Sequence, residues 1–289
     1  MTRKQYSIVL LRKPRTLDSS VLNRRNLFAE CLRHGKTTVV SIAVLFLLFA
    51  AIVRAEPSTE VVKRWKSAIA NDSVAKLRQM WEASDYDHEL LAVRSDNGKS
   101  ALMIASKTGD MELFEAILAA GEDPESETLT GGTPLMFAAL GNRTVILQRL
   151  LDLGVDTDAQ GSNGWSALTI AAAKGYTGMI QTLSISGADI NVPDVYGWTP
   201  IMRAVDNGHL DTVLLMSELE GVDLDNQDEA GNTALHHAVV HRNTEMVKQL
   251  ISQGARTEIE NFAGQTARQL AIAGSDSDPA AGLLLLFDE

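Results

Sequence analysis

Cysteine is almost absent from this sequence: Cys31 is the only one in 289 residues. No disulfide can form within one chain, so stability has to come from packing. A region without thiols avoids mispairing in an oxidising compartment, although it is equally at home in a reducing one. Aromatic residues are scarce at 5%, so the core rests on aliphatic side chains and alanine, and a local gathering of Trp and Tyr carries information. The phosphate-loop pattern GxxxxGK(S/T) is absent. No nucleophile, base or metal-ligand constellation stands at a spacing that would support catalysis, and no enzyme, cofactor or metal site is expected.

Positive charge is scarce beyond the N-terminus. Residues 1–55 hold ten Lys/Arg and two Asp/Glu, and the rest holds sixteen Lys/Arg against thirty-five Asp/Glu, a balance of −19. Nucleic-acid binding rests on neutralising phosphates with Lys and Arg, so nucleic acid is not expected as a partner. Long-range attraction favours a basic partner or a basic patch on one. The same acidity would also keep an extended molecule soluble.

The longest uncharged run is Thr37–Val53. Its 17 residues would span about 26 Å as a helix, marginal but sufficient for a bilayer core near 30 Å. Residues 1–36 carry nine Lys/Arg and read as a disordered basic arm. Such an arm stays on the cytoplasmic side, which would place everything after Val53 outside. Arg54, Lys63, Arg64 and Lys66 weaken that contrast. Residues 37–55 are therefore either a membrane anchor or a signal peptide cut after Ala55, with Val53 and Ala55 where small residues are needed. A tether that leaves the rest of the chain in the cytoplasm is the third arrangement.

What the chain has in quantity is regularly spaced glycine. Gly98, Gly131, Gly164, Gly197, Gly231 and Gly264 follow at intervals of 33, 33, 33, 34 and 33 residues. A fixed period of this length marks a stacked-repeat architecture. Two residues after each glycine stands Ser100, Thr133, Ser166, Thr199, Thr233 or Thr266, whose hydroxyl can cap a starting helix. Pro134 and Pro200 follow at the first helical position, where a missing N–H costs nothing. Alanines such as Ala138, Ala139, Ala171 and Ala172 then let neighbouring helices approach closely. Gly109, Asn142, Gly175 and Gly208 fit a left-handed turn into a second helix, as Val145–Leu151 and Met246–Ile251 illustrate by their apolar spacing. Gly121, Gly154, Gly187, Gly221 and Gly254 suit the position after that helix ends. Asp123, Asp156, Asp189 and Asp223 lead into the next loop. The extra residue of the 34-residue interval falls between Gly208 and Gly221, where a local bulge is expected.

The pattern resembles the ankyrin repeat, through Thr133-Pro134-Leu135, Thr199-Pro200-Ile201 and His236 at the positions of that family's T-P-L-H-x-A core. The resemblance implies an all-α solenoid of helix pairs and projecting hairpin loops. About six repeats are expected at 96–128, 129–161, 162–194, 195–228, 229–261 and 262–289. Residues 58–95 read as a degenerate capping unit, with Val61, Val62, Trp65 and Ile69 on one helix and Val74, Leu77, Met80 and Trp81 on another. Asn71-Asp72 turns between them. Leu283–Phe287 reads as a helix that seals the far end, a tail peptide that binds elsewhere being the lesser reading. The overall style resembles bacterial proteins, for which the outside compartment would be the periplasm.

Members of that family grip protein partners with hairpin tips and the inner helix face. The resemblance carries that role onto Asp96, Asn97, Lys99, Leu129, Thr130, Asn163, Trp165, Lys174, Val195, Tyr196, Trp198, Asp206, Asn207, Glu229, Asn232, His241 and Phe262. Trp165, Tyr196 and Trp198 crowd two adjacent units and are of the types enriched in binding hot spots. They are either a contact patch or packing between neighbouring hairpins. His237 and His241 stand four apart, a spacing that can chelate a metal on a helix, but they straddle a helix end with no third ligand evident. The expected function is protein–protein recognition by a preformed surface outside the cytoplasm. The alternative is an inhibitor or immunity-type protein that caps a secreted enzyme or toxin.

Overall fold

The computed structural model describes residues 57–84, 88–273 and 284–287. The basic arm, the uncharged run 37–53 and the cleavage position at Ala55 lie outside these residues. Among the described residues no helix is long and apolar enough to cross a membrane.

Among the described residues thirteen α-helices follow one another: α1 Thr59–Ala70, α2 Val74–Ala83, α3 Ala101–Thr108, α4 Met111–Ala119, α5 Pro134–Leu140, α6 Thr144–Asp152, α7 Ala167–Lys174, α8 Thr177–Ile185, α9 Pro200–Asp206, α10 Leu210–Ser217, α11 Ala234–Val240, α12 Thr244–Ser252 and α13 Ala267–Ala273. A 3-10 turn, His88–Ala92, joins α2 to the first hairpin. Among the described residues the nearest approach to a strand is a single bridge between Glu260 and Thr266.

The first helix of each pair starts as its sequence dictates. Ser100, Thr133 and Ser166 accept from the N–H of Met103, Met136 and Thr169. The fourth unit departs: Thr199 makes no cap bond, and its buried hydroxyl has no partner. At Thr233 the ring of His236 takes over, since its Nδ1 accepts from the Thr233 N–H at 3.2 Å. Nδ1 is thus an acceptor, and Nε2 carries the proton it gives to the Gln265 carbonyl of the next hairpin at 3.1 Å. Burial pushes the His236 pKa below its ordinary value, with the Gln265 bond opposing.

Packing follows from the small residues. Ala105, Ala138, Ala139, Ala171, Ala172, Ala204 and Ala238 are all fully buried, so first helices stack almost backbone to backbone. The second helices bury one stripe: Ile146, Leu147 and Leu150 are inside, whereas Val145 is 72% exposed. In the capping unit Trp65, Ile69, Leu77 and Trp81 are buried, and the two indoles lie 6.0 Å apart. At the far end the described turn 284–287 sets Leu284, Leu286 and Phe287 against the core, while Leu285 is exposed.

Gly109, Asn142, Gly175 and Gly208 all adopt positive φ, as their residue types suggest, and so do Asp72 and Arg242 at the matching turns. The extra residue of the long interval is absorbed after α10, where three residues separate Ser217 from Gly221. Leu219 from that turn packs on the core, so the stack continues undisturbed.

Candidate partner-binding surface

Every hairpin except the third, where Gly161 takes the place, is built on one small polar or acidic side chain and one glycine. Asp194 Oδ1 accepts from the backbone N–H of Tyr196 and Trp198. Asp228 Oδ1 does the same for Ala230 and Asn232, and Asn261 Oδ1 for Ala263 and Gln265. The turn then passes through the repeat-period glycine at positive φ. A Cβ on Gly164 would come within 2.6 Å of the Asp194 backbone, and one on Gly231 within 2.5 Å of the Phe262 nitrogen. The period therefore exists both because the turn is left-handed and because the next hairpin sits directly on it.

Backbone bonds tie the tips into a row. Leu129, Ser162, Val195, Glu229 and Phe262 donate to the carbonyls of Asn97, Thr130, Asn163, Tyr196 and Ala230 respectively. A second row runs along the loops after the second helices. There Glu125, Asp158, Asn191 and Asp225 accept from the N–H of Asp156, Asp189, Asp223 and Arg256. Side-chain to backbone bonds of this kind fix each unit on the one before it, which makes the surface rigid before any partner arrives.

The three crowded aromatics separate into two settings. Trp165 and Trp198 are half-buried and packed between hairpins. The Arg203 guanidinium lies 5.4 Å from the Trp165 ring centroid and 4.5 Å from that of Trp198, within the range of a cation–π contact. Trp165 Nε1 donates to Asp194 Oδ2 at 3.2 Å, and Arg203 Nε donates to the same oxygen at 2.8 Å. Trp198 also lies against the His237 ring, centroids 4.1 Å apart and planes tilted by 39°. His237 Nε2 meets Asp228 Oδ2 at 2.8 Å. Burial pushes the His237 pKa down, and the Asp228 carboxylate only partly offsets it. Tyr196, by contrast, is 58% exposed.

Other proposed contact positions divide in the same way. Lys174, Asp206, Asn207, Glu229 and His241 are exposed, and Leu129, Val195 and Phe262 stand 79%, 49% and 75% exposed at the tips. Asn207 Nδ2 donates to the Arg203 carbonyl, which holds it close to its own helix end. Lys99 instead turns inward to pair with Asp72, and Asn232 is half-buried, accepting from Asn261. Asp96 pairs with Lys66 of the capping unit. Asn97, Thr130 and Asn163 serve the tip row through their carbonyls. His241 pairs with Asp206 at 3.0 Å, so His237 and His241 face different carboxylates and do not converge. Among the described residues no group of three or more His, Cys, Asp or Glu could hold a metal ion.

Sequence reasoning missed Arg203, Asp194 and Asp228. The one available signal was aspartate recurring three residues before a repeat glycine, at Asp194 and Asp228.

Comparison with known proteins agrees with this architecture. The family model described as ankyrin repeats (3 copies) matches residues 68–160, 102–194, 144–228, 182–261 and 201–287. No curated protein sequence matches the chain. The crystal structure of the human ASB11 ankyrin repeat domain is similar, with a TM-score of 0.64 and 25% identity. The match covers 77% of this chain and 96% of that one. In all, 579 solved chains match, so likeness of fold does not select a partner.

Proposed function

The chain belongs to the ankyrin-repeat family, and from that premise we propose that it is a protein-binding module that meets its partner with the hairpin tips and the inner helix ends. Ankyrin repeats are in general scaffolds for protein–protein interaction. Contact falls to Tyr196 and Phe262 as apolar anchors, with Lys174, Asp206, Asn207 and His241 on the adjoining helix ends. Trp165, Trp198 and Asn232 act one step behind, as the framework that fixes the tips.

The observation that carries this reading is the run of exposed apolar side chains on a rigid row of tips. Leu129, Val195, Tyr196 and Phe262 stand out at 49% or more exposed on the second, fourth and sixth tips, whereas Asp96, Asn97, Ser162, Asn163 and Glu229 on the alternate tips are polar. A preformed surface binds with little loss of conformational entropy, and exposed aromatics are what binding hot spots use. We place the module outside the cytoplasm, held by or released from residues 37–55; the support is the basic arm and the uncharged run in the sequence.

Photo-crosslinking tests the surface. A benzophenone residue at position 196 or 262 is expected to capture one partner, whereas the same residue at Ile185, 87% exposed at the end of α8, captures none. Capture from position 185 alone would contradict the proposal.

A further inference from the structure

The first helix pair differs from the rest of the stack in the sign of its charge. Residues 57–84 carry five Lys/Arg against three Asp/Glu, whereas residues 85–289 carry eleven against thirty-one. A groove of about 340 Å³ runs between α1 and α2, with Lys63, Arg64 and Lys76 on its walls, Glu60, Ser67 and Gln79 between them and Met80 beneath. Lys63, Arg64 and Lys76 are exposed and form no ion pair among the described residues. Their neighbours do: Lys66 pairs with Asp96, Arg78 with Asp110 and Glu112, Lys99 with Asp72 and Arg94 with Glu122. An end cap needs only a polar outer face, and an acidic one would match the body it closes. Three unpaired cations against the single carboxylate of Glu60 leave the groove net positive and suited to an anion.

The length of chain in front of the groove says which anion. Residues 54–57 alone separate the uncharged run, ending at Val53, from the α1 cap Ser58. Five residue steps reach at most roughly 18 Å. If residues 37–53 enter a bilayer, this short tether lets the groove come within the 8–10 Å or so over which the headgroup potential extends. Juxtamembrane lysines and arginines bind acidic lipids by this attraction.

We propose that the α1–α2 groove, through Lys63, Arg64 and Lys76, seats the phosphates of anionic lipid headgroups and so sets the stack against the membrane surface. This rests on the reading that residues 37–53 are an anchor.

The test uses the full chain with Ser67→Cys spin-labelled on a Cys31→Ser background, reconstituted into phosphatidylcholine vesicles with or without phosphatidylglycerol. Collisions of the label with a nickel chelate fixed to lipid headgroups are expected to rise several-fold when phosphatidylglycerol is present. High salt, or the triple change Lys63→Gln/Arg64→Gln/Lys76→Gln, should return them to the neutral-lipid value. Equal collision rates in both lipids, or no effect of the triple change, would overturn the proposal. Shielding of the label by poly-glutamate and not by phosphatidylglycerol would also overturn it, by assigning the groove to an acidic protein. Retention in neutral vesicles through a high-salt wash reports the anchor separately. Should the chain fail that wash, the groove still requires salt-sensitive co-sedimentation with phosphatidylglycerol vesicles, weakened on the order of a hundredfold by the triple change; absence of such sedimentation would overturn it.

Discussion

Arg203 and Asp194 form a buried ion pair at the centre of the stack, the carboxylate fully enclosed and the guanidinium 16% exposed. One oxygen of Asp194 holds the hairpin turn, and the other holds Arg203 and the Trp165 indole. The pair thus joins the third hairpin, the fourth hairpin and α9. Arg203→Ala would strand a carboxylate without its cation, and loss of one partner of a buried pair costs about 3–5 kcal/mol. Arg203→Lys restores charge but neither the fork nor the stack, so it should recover only part. Urea unfolding of the three proteins checks this; a loss below about 1 kcal/mol, the scale of a surface pair, would contradict it.

Trp165→Ala and Trp198→Ala are expected to act through stability, since both rings are packed and half-buried. Truncating a well-packed aromatic costs about 3–5 kcal/mol when fully buried, and rather less is expected here. Lowered urea midpoints, with partner affinity kept in the folded fraction, would bear this out. Unchanged stability with lost affinity would return the two rings to the contact patch.

The period and the helix starts were legible because their causes are local. A left-handed turn needs glycine within the same few residues, and a helix start needs its own hydroxyl. Asp194–Arg203–Trp165 was not legible, because Arg203 is nine residues from Asp194 across a repeat boundary and Trp165 is twenty-nine residues away. Tyr196 and Trp198 look alike in sequence, and only the geometry separates an exposed tip from a packed ring. Thr199 and Arg242 depart from the local rule, one leaving its hydroxyl unused and the other adopting positive φ without a glycine.

Gly141 shows a requirement that comes from a neighbour. Its φ of −88° suits any residue, yet a Cβ there would lie 1.9 Å from the Lys107 carbonyl oxygen of the preceding unit. Gly178, within α8, has nothing within 4 Å of its would-be Cβ. Gly178→Ala should therefore stabilise by about 0.5–1 kcal/mol, and Gly141→Ala should destabilise by at least the 1–3 kcal/mol of overpacking. Thermal unfolding distinguishes the two, and shifts of the same sign would contradict the account.

His236 and His237 both have pKa values pushed below the ordinary 6.5 by burial. The unfolded chain then binds more protons than the folded one. Their contribution to stability is full above about 6.5 and is lost as pH falls from there through the folded values. Urea midpoints taken between about pH 8 and pH 5 should fall on the acid side. Removing either ring by His→Gln should flatten that fall; midpoints independent of pH in the wild type would contradict it.

In the proposed complex the exposed tips, and not the packed indoles, meet the partner. The most direct measurement compares wild type with Tyr196→Ala/Phe262→Ala for stability and for affinity to the crosslinked partner. Stability within about 0.5 kcal/mol of wild type and affinity weakened by about 2 kcal/mol or more are expected. Undiminished affinity with both side chains removed would contradict it.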